Sequence, residues 1–411
     1  MQLRPAAWLT SKRLRAHGTL LALCLWSLYV WTIATPGLRD RNGNLKGTDF
    51  LHFYTLGLLA DAHRGADLYD IDAQAALAAQ QVPQAAGIRY LPLYPPQVSI
   101  LFAPLAYLSY PWALGWWWAC SAAIYAICCY AVWRVCPNLR RHGGLVLLLA
   151  IAFPGFFNLI AWGQTSALAL ACFTLMFLLL HERREFLAGL ALGCLIFKPQ
   201  LAVAAVIVFV AVGAWKVIAG AAISASAQLG VGVLYYGTEP LRNWIDVLRN
   251  VGHVMTYLEP KPYQTHSLRT FWNFLLPSQN SFALYLLSSL VVLGMAIACW
   301  HRNPTDSFGL RYPALLFATV LVAPHLTVYD LVILAPAFLL LADWLLSEPQ
   351  CDLTGWLGTL LYLAYVLPLL GWLTRWTHLQ LSVVVMCAVV YLFWKLGGES
   401  NSPARGGRLG D

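Results

Sequence analysis

Charge is what this sequence has least of. Asp, Glu, Lys and Arg make up 11% of its 411 residues, whereas a soluble domain carries roughly a quarter. With 60% hydrophobic residues and a mean hydropathy of +0.64, most of the chain has lipid for its solvent, and a soluble globular fold is excluded. Metal and disulfide patterns are missing too. The ten cysteines show no C-x-x-C and no His/Cys ligand spacing, so neither a zinc site nor a disulfide framework is indicated. Cys24, Cys128, Cys129, Cys172, Cys194 and Cys387 sit inside apolar runs, as small core residues do. No repeat of matching broken helices, a mark of many transporters, is visible. A cleavable leader is not indicated: the apolar run 19–36 is long for one, and Thr32-Ile33-Ala34 fits a cleavage site only loosely.

What charge there is has a pattern. The net charge is +8, and the cations cluster between apolar runs: Lys12, Arg13 and Arg15; Arg134, Arg140 and Arg141; Arg183 and Arg184; Arg302; Lys395, Arg405 and Arg408. That is the distribution of cytoplasmic loops under the positive-inside rule, not of a nucleic-acid partner. About twenty apolar residues cross a bilayer as a helix. Spans are expected near 19–36, 112–133, 144–160, 164–181, 185–199, 200–215, 217–236, 282–300, 311–326, 330–347, 353–373 and 378–396. These make about twelve transmembrane helices in an all-α, multi-pass protein of the plasma (inner) membrane. Residues 1–18 form a cytoplasmic N-terminus, 19–396 the membrane domain with outer loops 37–111 and 237–281, and 397–411 a Gly/Ser/Arg-rich disordered tail. Residues 96–109, which contain Pro104, are either a span or a re-entrant or interfacial stretch; the cytoplasmic cations at 134–141 allow one crossing between 95 and 134, and it is placed at 112–133. Residues 50–63 and 71–81 have helical apolar spacing and are expected as amphipathic helices on the membrane surface.

Polar groups at span ends are costly and usually face a cavity. With this topology five sets fall on the outer, periplasmic side. Asp49, with His52 and Tyr54, opens the first outer loop; alone it reads as a helix cap. Tyr94 precedes Pro95-Pro96, where Pro96 reads as an ordinary helix start and Tyr94 either sits at the interface or helps to shape a groove. Gln164 follows Gly163 and serves either helix packing or a ligand. Lys198 stands in Lys198-Pro199-Gln200 and either snorkels or meets a phosphate. His325, Tyr329 and Asp330 crowd the break between two apolar helices, where Asp330 could merely cap. The loop 237–281 adds Tyr257, Glu259, Lys261, His266 and Arg269, a surface suited to stacking on and hydrogen-bonding a polyhydroxylated ligand, or to nothing more than an interfacial loop.

In order along the chain these pieces are an early outer Asp, Leu68-Tyr69-Asp70, Tyr94-Pro95-Pro96, Gly163-Gln164, Lys198-Pro199-Gln200, Gln264-Thr265-His266-Ser267-Leu268-Arg269 and the segment Pro324–Leu331. Together they resemble glycosyltransferase family 87, over roughly residues 45–345. The resemblance implies a GT-C-like fold and transfer of a hexose, typically mannose, from a polyprenyl-phosphate donor at the outer leaflet. It places the family's catalytic aspartate at Asp49, its late outer histidine at His325 and its Lys-Pro position at Lys198. The sequence departs from the family's commoner patterns at Gln264–Ser267 and Ala323–His325, which bears on the acceptor more than on the reaction.

The chemistry expected is inverting, with Asp49 as general base within about 3 Å of the acceptor oxygen. Lys198, His325 or Arg269 would balance the departing phosphate. No cofactor is implied beyond the lipid-linked donor, and Asp49 with Asp330 could hold a divalent cation. The partners are membrane lipid, a polyprenyl-phosphate sugar and an acceptor glycan or glycolipid. The alternative is a secondary transporter or lipid-linked sugar flippase with Lys198, His325 and Asp330 as a relay.

Overall fold

The computed structural model describes residues 8–254, 261–302, 308–348 and 351–399. Tyr257, Glu259 and residues 400–411 of the tail lie outside the described residues. Among those described, the protein is helical throughout, with no strand and two isolated bridges.

Among the described residues, six helices are long and apolar enough to cross a membrane: Ser11–Ile33, Tyr110–Arg134, Trp215–Tyr236, Gln279–His301, Asp330–Ser347 and Asp352–Thr377. The pair Asn138–Ile151 and Pro154–Trp162, bent by 42°, makes a seventh if taken as one span. This is a multi-pass membrane protein, but twelve full-length spans are not found among the described residues. The other five expected spans are shorter apolar helices: Ser166–His181, Glu185–Phe197, Pro199–Ala211, Phe308–Val322 and Leu381–Leu396. At 1.5 Å per residue all five fall short of the ~30 Å hydrocarbon thickness. Their shortness has a common cause. Each stops or starts at a polar break, namely Gly163-Gln164, Lys198-Pro199, the 323–329 segment or Gln380.

The expected surface helix at 50–63 is a correction. Helix Thr48–Asp61 is buried on nearly every side, from Phe50 through Gly57 and again at Leu59 and Ala60. Its run Phe50–Ala60 carries no Asp, Glu, Lys or Arg, and Phe102, Tyr110 and Trp117 pack over faces that the apolar spacing alone would leave to solvent. Phe50 stacks on Trp117 at 6.1 Å between centroids and Phe53 on Phe102 at 5.0 Å. Each ring contributes about 1.5–3 kcal/mol by burial. Gly57 lets the backbone at Phe102 approach: a Cβ there would lie 2.4 Å from the Phe102 carbonyl oxygen. Helix Ile71–Gln81, by contrast, buries only Gln74 and Ala78 and does lie on the surface. A second amphipathic helix, Glu239–Asn250, falls in the later loop, with Trp244 buried and Arg242, Asp246 and Arg249 exposed.

Elsewhere small residues bring helices together, as expected where lipid offers no hydrophobic drive for packing. A Cβ on Gly189 would sit 2.1 Å from the Val217 carbonyl oxygen, and one on Gly220 would sit 2.3 Å from that of Phe186. These contacts lock helix Glu185–Gly193 against Trp215–Tyr236.

Candidate active site

The site begins at the start of the Asp49 helix. Gly47 is the N-cap, with φ +63 and no side-chain cap bond. The Thr48 hydroxyl donates back to the Leu45 carbonyl at 2.6 Å, so neither Thr48 nor Asp49 caps this helix through its side chain. Tyr110 donates to the Lys46 and Gly47 carbonyls at 2.8 and 3.0 Å, and Tyr90 to that of Thr48. Together these bonds fix the first turn, from which Asp49 projects while still partly exposed.

Its carboxylate Oδ2 accepts from Gln164 Nε2 at 2.7 Å. Gln164 is held in turn by Gly163, whose φ of +71 ends helix Pro154–Trp162. A Cβ on Gly163 would lie 2.8 Å from Phe50 Cβ, and Trp117 Nε1 donates to the Gly163 carbonyl at 3.0 Å. Glycine is needed here on both counts.

Two residues on, Ser166 Oγ donates to Asp330 Oδ1 at 2.5 Å. Lys198 Nζ donates to the same oxygen at 2.8 Å and to Ser166 Oγ at 3.1 Å. Both members of this ion pair are buried, with side chains 5% and 2% exposed. Asp330 Oδ2 accepts from the Thr327 backbone and hydroxyl at 3.3 Å each. Lys198 Nζ also lies 5.2 Å from the centre of the Tyr329 ring. Asp330 is therefore the partner of Lys198 rather than a simple cap, and three breaks in the chain meet at one point.

The two late motifs also meet. Thr265 pairs with Thr327 in an antiparallel bridge: the His266 N–H donates to the Leu326 carbonyl at 3.0 Å and the Val328 N–H to that of Gln264 at 2.9 Å. Arg269 Nε donates to the Pro324 carbonyl, and His266 Nδ1 bonds Ser382 Oγ at 2.9 Å. His325, beside them, acts electrostatically on Asp330. Lys261 lies 5.3 Å above the Trp162 ring and within electrostatic reach of Asp49. Tyr94 feels Lys198, Asp330 and Asp49 together.

Burial raises the Asp49 pKa to about 6, opposed by the Gln164 hydrogen bond and by Lys198, while Asp330 adds to the rise and Lys261 to the opposition. The opposing pulls leave a carboxylate poised near neutral pH, the range a general base needs.

The contacts therefore join Asp49 to Gln164, and Lys198 to Asp330 beside Tyr329, while His266 and Arg269 meet Leu326 and Pro324 on either side of His325, and Tyr94 lies within electrostatic reach of Asp49, Lys198 and Asp330. Ser166, Thr327 and Tyr90 were not among the sequence candidates. Ser166 was within reach, two residues beyond Gln164 at a helix start, but a hydroxyl there is an ordinary N-terminal residue. The pair considered for a cation, Asp49 and Asp330, is engaged by Gln164 on one side and by Lys198, Ser166 and Thr327 on the other.

Comparison with curated proteins and with solved structures returned no match. A family model does match: residues 93–328 fit glycosyltransferase family 87. The match starts downstream of Asp49 and takes in Tyr94, Gln164, Lys198, His266, Arg269 and His325. It covers more than half of the chain, which is therefore a membrane-embedded glycosyltransferase belonging to glycosyltransferase family 87.

Proposed function

We propose that the protein transfers a hexose, mannose first among them, from a polyprenyl-phosphate donor to an acceptor hydroxyl with inversion, at the outer face of the plasma membrane. Asp49 takes the proton from the acceptor hydroxyl as that oxygen attacks the anomeric carbon. The bond from that carbon to the phosphate oxygen breaks, and the polyprenyl phosphate leaves with the electron pair. The observation that carries this reading is the contrast between two carboxylates. Asp330 is buried with both oxygens occupied by Lys198, Ser166 and Thr327, whereas Asp49 is partly exposed and oriented by a neutral amide. A double displacement needs a second free carboxylate about 5–5.5 Å from the first, and Asp330 is not free.

The leaving phosphate needs cations. Lys198, although paired with Asp330, contributes once donor charge arrives, with Arg269 and Lys261 as further cations and His325 as a hydrogen-bond donor. The transporter or flippase alternative gives way to the family assignment. The test offers membranes of the overexpressed protein radiolabelled polyprenyl-phosphate mannose, polyprenyl-phosphate glucose or a nucleotide-linked mannose. Label should reach glycolipid or glycan from the polyprenyl-phosphate mannose; label drawn only from the nucleotide sugar would overturn the donor class.

A further inference from the structure

One turn of the chain touches both carboxylates of the site. It joins helix Pro154–Trp162 to helix Ser166–His181. At its start Gln164 Nε2 donates to Asp49 Oδ2 at 2.7 Å. At its end Ser166 Oγ donates to Asp330 Oδ1 at 2.5 Å and accepts from Lys198 Nζ at 3.1 Å. The residue between them closes the link, because the Thr165 N–H donates to Gln164 Oε1 at 3.3 Å. That bond sets the amide with its oxygen on the turn and its NH2 on Asp49, since only the oxygen can accept. Gln164, Thr165 and Ser166 are 7%, 0% and 0% exposed, so bulk water does not compete for these bonds.

A serine at a helix start ordinarily turns its hydroxyl to the nearby backbone. The Ser166 hydroxyl instead reaches side chains 32 and 164 positions away. The ion pair does not need it for neutrality, because Lys198 Nζ donates directly to Asp330 Oδ1 at 2.8 Å. What the hydroxyl adds is an anchor for the turn. Hydrogen bonds to charged groups are about twice as strong as neutral ones, and Ser166 makes two of them.

We propose that Ser166 is a positioning residue for the reaction: anchored on Asp330 and Lys198, it holds the turn so that Gln164 presents its N–H to Asp49. This rests on Asp49 being the base, on which Ser166 acts only through Gln164. The Gln164 bond favours the ionised form of Asp49, so loosening the turn raises the pH at which the base ionises. The charged and titratable groups that face Asp49 are Lys198, Asp330 and Lys261 and the hydroxyls of Tyr90, Tyr94, Tyr110 and Tyr329. Ser166→Ala keeps every one of them.

The experiment follows kcat against pH at saturating polyprenyl-phosphate mannose, with the glycolipid and glycan fraction of the source membranes as acceptor and thermal stability recorded in parallel. It compares wild type, Ser166→Ala, Gln164→Leu and the double variant. Ser166→Ala should raise the midpoint by about half a unit to one unit, in the same direction as Gln164→Leu. The double variant should match Gln164→Leu alone, because a residue that acts through Gln164 then has nothing left to act on. An unmoved midpoint in Ser166→Ala, whatever its melting temperature, overturns the proposal and leaves the hydroxyl as packing for the ion pair. Shifts that add in the double variant also overturn it, since Ser166 would then act through the charges of Lys198 and Asp330. Should Ser166→Ala fail to accumulate, Ser166→Gly takes its place with the same outcomes. Near-normal turnover by a folded Asp49→Asn defeats the underlying base reading instead; an inactive Asp49→Asn beside an unmoved Ser166→Ala midpoint defeats the positioning role alone.

Discussion

At the scale of single residues, the chemistry turns on where one proton sits. With burial holding its pKa near 6, Asp49 is ionised above that value and protonated below it. A general base works ionised, so kcat should climb with pH through a midpoint near 6. Stability runs the other way. The folded protein binds this proton more tightly than an unfolded Asp of ordinary pKa 3.8, so that contribution is present at low pH and is lost as pH rises from about 4 through about 6. Gln164 favours the ionised form, and Gln164→Leu should move the activity midpoint upward. A variant with about a tenfold loss at pH 6 and much of its activity back at pH 8 is expected; an unmoved pH profile would remove Gln164 as the residue that positions Asp49. Lys198 gives a separate test. Lys198→Met strands Asp330 in a site 2% exposed, a loss on the order of 3–5 kcal/mol, read as a fall in melting temperature. The double variant Lys198→Met with Asp330→Leu should regain much of that stability. If its donor KM stays raised, Lys198 also meets the phosphate; if donor KM returns to normal, the pair is structural alone.

At the scale of elements, the breaks matter more than the helices. Gly163 shows why: its φ of +71 and the 2.8 Å approach of Phe50 Cβ tie the Asp49 helix to the turn that carries Gln164. Gly163→Ala should lower stability by about 1–3 kcal/mol and cut activity at least tenfold, because the turn must move. Gly87 is the control, with φ +86 and nothing within 4 Å of a Cβ. Gly87→Ala carries only the backbone strain and should leave kcat and KM unchanged. The breaks were legible in the sequence, since Gly-Gln, Lys-Pro and the crowded 324–330 segment interrupt apolar runs where a membrane gives no reason for it. Their pairing was not. Nothing in the spacing of Lys198 and Asp330 says that they meet, nor that 264–266 bridges 326–328, because these contacts join segments tens of residues apart. Helix 50–60 misled for a local reason. Its apolar spacing fits a surface helix on one face, and only the packed neighbours Phe102, Tyr110 and Trp117 show that the other faces are buried as well.

At the scale of the whole molecule, polar breaks at the ends of short apolar helices make the long-range polar contacts: Gln164 reaches Asp49, Ser166 and Lys198 reach Asp330, and Gln380 reaches Thr265. Short helices that end at these breaks account for the difference between the twelve expected spans and the six or seven of full length among the described residues. Orientation follows from sidedness. Asn42→Cys, in the loop before Asp49, should react with a membrane-impermeant maleimide in intact cells, whereas Arg140→Cys should react only after permeabilisation; the reverse pattern would turn the site to the cytoplasm. The most direct measurement is transfer from radiolabelled polyprenyl-phosphate mannose by wild type beside Asp49→Asn, both inserted at equal levels and with matching thermal stability. The expected result is product from wild type and a loss of about 100- to 10,000-fold in the variant, the scale on which a positioned base contributes. Near-normal turnover by a folded Asp49→Asn would contradict it, and the base would have to be another residue.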